Sequence, residues 1–290
     1  MSIVYRFFLL AAAWCSLEAV ALATWSVIAV DRSTGQVIIA SATCVPQSRF
    51  PPRPARDLMD IQAVIVPGVG VAACQAAVDN TRENQRIVYE ELKKGTEPAR
   101  ILEILREHET AKDEPQMERR QFGILDLSGR SAGFNGGENN PASLFVAGEV
   151  GDDVFFQVQG NILFSDRVAY DAALAFTRAT GTLADRVMAA MEGADDAGGD
   201  RRCTCEESPK PDAPCEGKTS HVAYIVIANR DDRPGRTHND GEYYAYISVT
   251  DENVQPHENA NPVKTLRMRY DAWKAAGSPR TGVAPSPGSR

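Results

Sequence analysis

Five short apolar runs constrain this chain most: Trp25 to Asp31, Gln36 to Thr43, Ile61 to Val66, Val69 to Ala77 and His221 to Ala228. Each is rich in Val, Ile and Ala, bounded by turn residues, and of strand length. Polar alternation is weak or absent. A strand with one wet face alternates apolar and polar side chains, so strands without that pattern have both faces covered. Asp31-Arg32-Ser33-Thr34-Gly35 and Pro67-Gly68 are turns that fold the first four runs into two hairpins. The core is expected at 25–30, 37–42, 61–66, 69–77 and 221–228, with 87–92 and 101–105 packed on one side.

Helices and further strands follow in order. Thr81 to Lys94 places Ile87, Val88, Tyr89 and Leu92 at helical spacing and stops at Gly95. Thr96 and Pro98 start a second helix with Ile101, Leu102, Ile104 and Leu105 inward. Gln121 to Leu127 and Ser131 to Asn135 flank a turn at Ser128-Gly129. Leu144 to Ala147 and Val154 to Gln159 are short strands. Helices are predicted over Asp166 to Thr180, capped by Ser165, and over Leu183 to Met191. Glu192 to Ser220 reads as a polar loop, Tyr243 to Val249 as the last strand and Val263 to Ala275 as a closing helix. Pro46 to Pro54 is irregular, and Gly277 to Arg290 reads as a disordered tail. Antiparallel strand runs alternating with helix pairs predict an α+β fold, a four-layer α-β-β-α sandwich that buries both faces of each sheet.

The first strand carries a second signal. Arg6, the apolar run Phe7 to Cys15 and Ala21-Leu22-Ala23 have the order of a secretory leader, and the run is too short to span a bilayer. This predicts a signal peptide over 1–23, a domain over 24–276 and a tail over 277–290, with an exported product (periplasmic or extracellular) that has no membrane segment after cleavage. Cleavage after Ala23 makes Thr24 the first residue; cleavage after Ala21 would leave Leu22 instead.

Composition is that of a globular chain, with 43% hydrophobic and 24% charged residues, and the net charge of −8 argues against nucleic acid or an anionic membrane as partner. Beyond the leader there are five cysteines, Cys44, Cys74, Cys203, Cys205 and Cys215. In an oxidising compartment, Cys203 or Cys205 is expected to close on Cys215, and Cys44 pairs with Cys74 if their strands are neighbours; an odd number leaves one thiol over. The alternative, zinc held by the Cys-x-Cys…Cys run with His221, has no standard ligand spacing, so no metal and no cofactor are expected.

Five blocks carry a resemblance to a known family: Thr24 to Asp31 with Thr34-Gly35; Gly68-Val69-Gly70-Val71 with Gln75-Ala76; Arg120-Gln121-Phe122-Gly123-Ile124-Leu125-Asp126 with Gly129-Arg130; Gln159-Gly160-Asn161-Ile162-Leu163; and Gly198-Gly199-Asp200-Arg201-Arg202. In this order, from residue 24 to about 228, the chain resembles DUF1028, a family of unknown function grouped with the N-terminal nucleophile (Ntn) hydrolases. The resemblance implies an Ntn-like sandwich and a mature chain that begins at the threonine. Three features depart from it. Asn80-Thr81-Arg82-Glu83-Asn84 stands where Asn-Pro-x-Tyr-Gly is usual, Thr43 stands for a serine, and residues 203–219 look like a cysteine-bearing insertion.

A terminal threonine holds a nucleophile and its base on one residue: an α-amine with a pKa near about 8 takes the hydroxyl proton and later gives it to a leaving amine. Thr24 is therefore the expected nucleophile, its hydroxyl facing solvent, with Asn161 and Gln75 as oxyanion donors or, equally, as buried amides satisfying loop backbone. Asp200 places a charge near the amine, and Arg201 and Arg202 grip a substrate carboxylate, or all three form a surface turn. Asp31 orients the amine or, the blander role, serves its hairpin turn. The expected function is an exported amide hydrolase acting on a small-molecule or peptide amide. Relatives with a segment resembling a peptidoglycan-binding domain point to a cell-wall peptide or amino-acid amide. The alternative is a non-catalytic secreted binding protein whose loop from Asp195 and Asp196 to Asp200 holds calcium weakly. Homo-oligomerisation is left open.

Overall fold

The computed structural model describes residues 24–50, 58–77, 79–139, 142–200, 202–206, 212–215 and 217–282. The expected leader, Arg201, the prolines at 51, 52 and 54, and residues 283–290 of the expected tail lie outside the described residues. β1 (Thr24–Asp31) and β2 (Gln36–Thr43) form the first hairpin. Its turn is held by Asp31, whose Oδ1 accepts the N–H groups of Ser33 and Thr34 and the Ser33 hydroxyl. Then come α1 (Leu58–Gln62), β3 (Ala63–Val66), β4 (Gly70–Ala76), α2 (Glu83–Lys93), α3 (Pro98–Thr110), β5 (Arg120–Asp126), β6 (Ser131–Asn135), β7 (Leu144–Val150) and β8 (Val154–Asn161). The chain ends with α4 (Arg167–Arg178), α5 (Leu183–Asp196), β9 (Val222–Ala228), β10 (Ala245–Thr250) and α6 (Pro262–Ala275).

This is a mixed α/β fold with two antiparallel sheets, ordered β10-β9-β2-β1-β8-β7 and β3-β4-β5-β6. The two-residue period of a strand sends alternate side chains of β1 to opposite faces. Ile28 and Val30 join Val37, Ile39, Val71, Leu125 and Val226 in a cluster shared by both sheets. Trp25, Val27 and Ala29 join Phe176 of α4, Val187 and Met191 of α5 and Leu266 of α6. On the smaller sheet, Val64, Ala72, Phe122 and Ile124 meet Val88 and Leu92 of α2 and Ile101 and Leu105 of α3. Both faces of the inner strands are thus covered by apolar groups, which is why those strands lack polar alternation. Edge strand β7, by contrast, alternates half-buried and exposed residues along its length.

Several expectations need correction. Ile61 and Gln62 end α1 rather than begin a strand, and only Ala63–Val66 pairs with β4. The reading of 192–220 as loop truncated α5, which continues past Met191 to Asp196: Ala194 and Asp195 are buried, and Gly193 lies so close to α4 that a Cβ there would sit 2.9 Å from Ala175. The tail is ordered through Thr281, whose N–H donates to the Tyr244 carbonyl at 3.1 Å and whose hydroxyl accepts the Tyr246 N–H at 3.0 Å. Cys44 and Cys74 do not pair. β2 and β4 belong to different sheets, and Cys74 joins the cluster under α2 and α3, a buried free thiol. Cys44 is bonded to Cys203, with Cα atoms 5.6 Å apart across 159 residues of sequence, and Cys205 to Cys215. With those four sulfurs in disulfides, the zinc alternative has lost its thiolates.

Candidate functional site

β1 is the centre of the larger sheet, and Thr24 is its first residue. It stands opposite Thr43 on β2 and Asn161 on β8. By strand alternation, Thr24 and Ser26 point the same way as Ile28 and Val30, towards the smaller sheet. The space between the sheets therefore changes character along β1, apolar at the Asp31 end and polar at the Thr24 end.

Gln75, near the end of β4, bridges the sheets at the polar end. Its Nε2 donates to the Thr24 carbonyl at 3.0 Å and to Gln121 Oε1 at 2.7 Å, with Asn161 Oδ1 farther off at 3.5 Å. Its Oε1 accepts the Ser26 hydroxyl at 2.8 Å and Gln62 Nε2 at 2.5 Å. The network extends outwards. Tyr224 donates to Gln62, Gln121 to the Gly160 carbonyl at 2.7 Å, and Gln159 to the Ala73 carbonyl at 3.0 Å. Thr24, Ser26, Gln62, Gln75, Gln121, Gln159 and Asn161 are all buried. Gln75 uses both N–H groups and both lone pairs of its oxygen, whereas buried Gln159 donates to Ala73 and its Oε1 has no partner among the described residues.

Two backbone outliers flank this network. Ala76, next to Gln75, has φ +74°, and Ile162, next to Asn161, has φ +53°. Both are non-glycine residues in the left-handed region, and Ile162 is β-branched, so each is strained. Strain of this kind persists where surrounding structure enforces it and clusters at functional sites.

The glycine pair Gly198-Gly199 delivers Asp200 to the same end of the sheet. Gly199 has φ +49°, and a Cβ there would lie 2.7 Å from Thr219 and 2.8 Å from the Trp25 ring. Asp200 is buried and accepts the Cys44 N–H at 3.1 Å, Arg202 Nη2 at 2.8 Å and Arg202 Nε at 3.1 Å. It fastens this loop to the residue after Thr43, beside the Cys44–Cys203 disulfide. Arg202 is thus committed to Asp200 rather than held out for a substrate carboxylate, and the expected partner Arg201 lies outside the described residues. Asp195 accepts the Thr219 hydroxyl and Asn261 Nδ2, so the acidic stretch expected to hold calcium is occupied by protein donors. Asp31 serves its turn at the far end of β1, about 23 Å from Thr24 at roughly 3.3 Å per residue, too far to orient an amine.

Thr24 is buried, with 2% of its surface exposed, which corrects the expectation of a solvent-facing hydroxyl. Its Oγ1 donates to Thr43 Oγ1 at 3.2 Å. Beside it lies a pocket lined by Thr24, Thr43, Gln75 and Ala76, with Val45, Phe50, Leu58 and Ile61 as its apolar wall, and with Gln62 and Cys74. These residues include no carboxylate, amine, guanidinium or imidazole. Burial pushes the Cys74 thiol far above its ordinary range, with the nearby Asp79 carboxylate adding to the effect, so it supplies no thiolate. The site therefore brings together Thr24, Gln75 and Asn161, while Asp200 acts one step away through Cys44. Sequence reasoning did not assign site roles to Ser26, Gln62, Thr43 and Gln121. Their common signal is a polar residue on the inward register of an otherwise apolar strand or at its end.

A family model described as a family of unknown function, DUF1028, matches residues 24–208. No curated protein matches the chain. The crystal structure of a DUF1028 protein from Silicibacter pomeroyi is similar, with a TM-score of 0.60 at 20% identity, over 87% of this chain and 86% of that one. At that identity the likeness speaks for the fold alone.

Proposed function

The chain belongs to DUF1028, and from that premise we propose that residues 1–23 are a leader removed on export and that Thr24, then the first residue, is the nucleophile of an amide hydrolase on an Ntn-type α-β-β-α sandwich. One observation carries this reading. The family match begins at the residue that an independent cleavage signal would expose, and that residue lines a pocket whose described lining residues include no side-chain base. The α-amine created by cleavage would supply one on the nucleophile itself. The order of the apolar clusters, helices under one sheet, then the shared core, then helices over the other, supports the sandwich. Two disulfides fit an oxidising compartment, and no helix among the described residues is long and apolar enough to cross a membrane.

In this mechanism the α-amine takes the Thr24 hydroxyl proton as Oγ1 adds to the substrate carbonyl carbon. The C–N bond then breaks, and the ammonium returns the proton to the departing amine. The acyl group stays as an ester on Oγ1. Water, deprotonated by the same amine, cleaves that ester and releases the acid. Asn161, opposite Thr24 in the ladder, is the amide we assign to the oxyanion. Gln75 is a positioning residue, because its donors already hold the Thr24 carbonyl and Gln121. That commitment of Gln75 is also the one fact favouring the alternative, a secreted binding protein without turnover.

The test is the N-terminus. Sequencing of the exported protein should read Thr24-Trp25-Ser26. In a screen against an amide library, Thr24→Ser should keep part of the activity, while Thr24→Ala and an alanine inserted between Ala23 and Thr24 should each lose about 10²–10⁴-fold in kcat, the contribution of a positioned base. Undiminished turnover with the inserted residue refutes the mechanism.

A further inference from the structure

The two sheets have four edges, and the chain itself covers two of them. Beside β10, Thr281 donates its N–H to the Tyr244 carbonyl at 3.1 Å and accepts the Tyr246 N–H on its hydroxyl at 3.0 Å. Beside β3, the Ile65 N–H donates to the His238 carbonyl at 2.8 Å. The other two edges, β6 and β7, lie together on one flank, where the Phe145 ring of β7 packs so closely on Gly133 of β6 that a Cβ there would sit 2.6 Å from it. Among the described residues, β7 pairs with β8 alone. Folded proteins protect a bare edge with proline, lysine, a bulge or a very short strand. β7 has none of these. It is seven residues long, Leu-Phe-Val-Ala-Gly-Glu-Val, and runs in unbroken register with β8.

The layer above the same flank is apolar. α4 packs over β7 and β8, with α5 against its Asp171, Ala172 and Ala175; a Cβ on Gly193 of α5 would come within 3.4 Å of each. Tyr170 and Leu174, one turn apart, project from the side of α4 turned away from α5, above the bare edge, and are 57% and 44% exposed. On the opposite face of β7, Phe145 is 43% exposed. Exposed apolar side chains therefore stand on both faces of a strand whose outer edge is bare, which is the composition of an interface core.

We propose that this flank is the interface of a two-fold dimer, in which β7 of one protomer pairs antiparallel with β7 of its partner and the two larger sheets join into one. The occupant is a second copy because the strand complements itself. A two-fold axis at Ala147 sets Leu144 opposite the partner's Val150, Val146 opposite the partner's Gly148 and Phe145 opposite the partner's Glu149. Apolar groups then meet on the α4 face. The only charged residue of the strand, Glu149, lies at opposite ends of the new ladder in the two copies, so like charges do not meet. A strand pair of this length alone falls short of the roughly 1,200 Å² that a stable interface buries, and Tyr170 and Leu174 of both copies, gathered above the joined strands, add the apolar area that makes up the rest. The proposal does not rest on the role of Thr24.

The experiment uses the protein exported with its own leader and purified in its processed form. Sedimentation velocity should show a dimer at about 10 μM, the association of an interface of ordinary size. Ala147→Lys sets like charges opposite each other at the axis, and Leu174→Asp puts a charge into the apolar layer; each should weaken association at least about tenfold. Both positions are exposed on the protomer, so thermal unfolding of each variant should show that the protomer itself stays folded. An equimolar mixture of Ala147→Lys and Ala147→Asp chains should regain the dimer, because a two-fold axis at this residue brings the two substitutions face to face. Hydrogen exchange should find β7 protected in the dimer and unprotected in Ala147→Lys. A parent protein that stays monomeric to about 100 μM overturns the proposal. So does protection of β7 in a monomer, which would mean that another part of this chain covers the edge. A dimer indifferent to both substitutions, or one broken by Ala147→Lys and not restored in the mixture, overturns it as well.

Discussion

The two ends of the inter-sheet space are built from the same strands and differ in almost every physical respect. At the Asp31 end, Ile28, Val30, Val37, Ile39, Val71 and Leu125 fill it with apolar groups. At the Thr24 end, the equivalent inward positions hold Ser26, Gln75, Gln121, Gln159 and Asn161, bonded to one another and to backbone. Burying amides gains little over burying aliphatics, because each bond replaces one to water, and a fault in the network is costly. The polar end is therefore poorly explained by stability and well explained by the need to hold the first residue of β1 in one geometry. The apolar end supplies the stability that makes such a construction affordable.

That contrast is broken most severely by a charge at the apolar end. Ile39 and Val226 are fully buried and face this cluster. Ile39→Asp or Val226→Asp should cost at least about 4 kcal/mol in urea unfolding, through a carboxylate with no partner. A variant of normal stability would mean the two sheets do not close on each other there.

The next largest effect is one of pH. The polar end is held by amides and hydroxyls that do not titrate between neutrality and mild acid. His238 does, and its carbonyl bonds the Ile65 N–H beside the apolar core. Burial lowers its pKa to about 4, with the Arg82 charge helping, against the Asp60 carbonyl and the Asp240 charge, which favour the protonated ring. The unfolded chain takes up this proton near pH 6.5 and the folded one only near 4, so the stability is present above 6.5 and is lost as pH falls towards 4, a change of roughly 3 kcal/mol. Hydrogen exchange at pH 4.5 should show β3 losing protection before Gln75 and its neighbours do, and His238→Gln should flatten the pH slope between these values. An unchanged slope would show that another group dominates.

At the polar end itself, Gln75→Ala strips partners from Ser26, Gln62, Gln121 and the Thr24 carbonyl at once. Its expected cost is about 2 kcal/mol, and because the loss is one of unsatisfied groups, Ser26→Ala in the same background should recover part of it. If the double variant is no better than the single, the network is not coupled as the distances imply.

The apolar end was legible in the sequence because its signal is local: Val27 to Val30, Ile38 to Ala40 and Val222 to Ala228 announce covered strands by composition alone. The polar end was legible only in pieces. Thr24 stood out through the cleavage signal before it, and Gln75 and Asn161 as amides at the ends of apolar strands, but a serine or glutamine inside one strand says nothing about the partner it meets on another sheet. Gln62 was hidden further, because Ile61-Gln62 joins an apolar run and looks like strand until α1 turns it towards Gln75. Cys44 and Cys203 lie 159 residues apart, and Cys203 stood in the same loop as a more obvious partner. The extension of α5 was masked by Glu192, Asp195 and Asp196, whose charges suggested a loop although Arg267 pairs with Glu192 and Asn261 with Asp195. In each case the missing information was tertiary.

The smallest expected change in stability is the one that sharpens the contrast most. Thr24 Oγ1 donates a neutral hydrogen bond to Thr43 Oγ1 at 3.2 Å, and Thr43 Oγ1 also accepts the Val45 N–H at 3.3 Å. Thr24→Ala should cost about 1 kcal/mol of stability for the loss of that neutral bond. A double-mutant cycle with Thr43→Ala should return a coupling of roughly 0.5–1.5 kcal/mol, and Thr43→Ser, which keeps the acceptor, should preserve most of it. Set against Ile39→Asp, this variant would leave the fold nearly untouched while removing the hydroxyl on which the proposed chemistry depends. A coupling of zero would mean that the two hydroxyls do not hold each other. A cost as large as that at Ile39 would mean that Thr24 belongs to the stabilising end of the molecule, and the division of labour along β1 would fail.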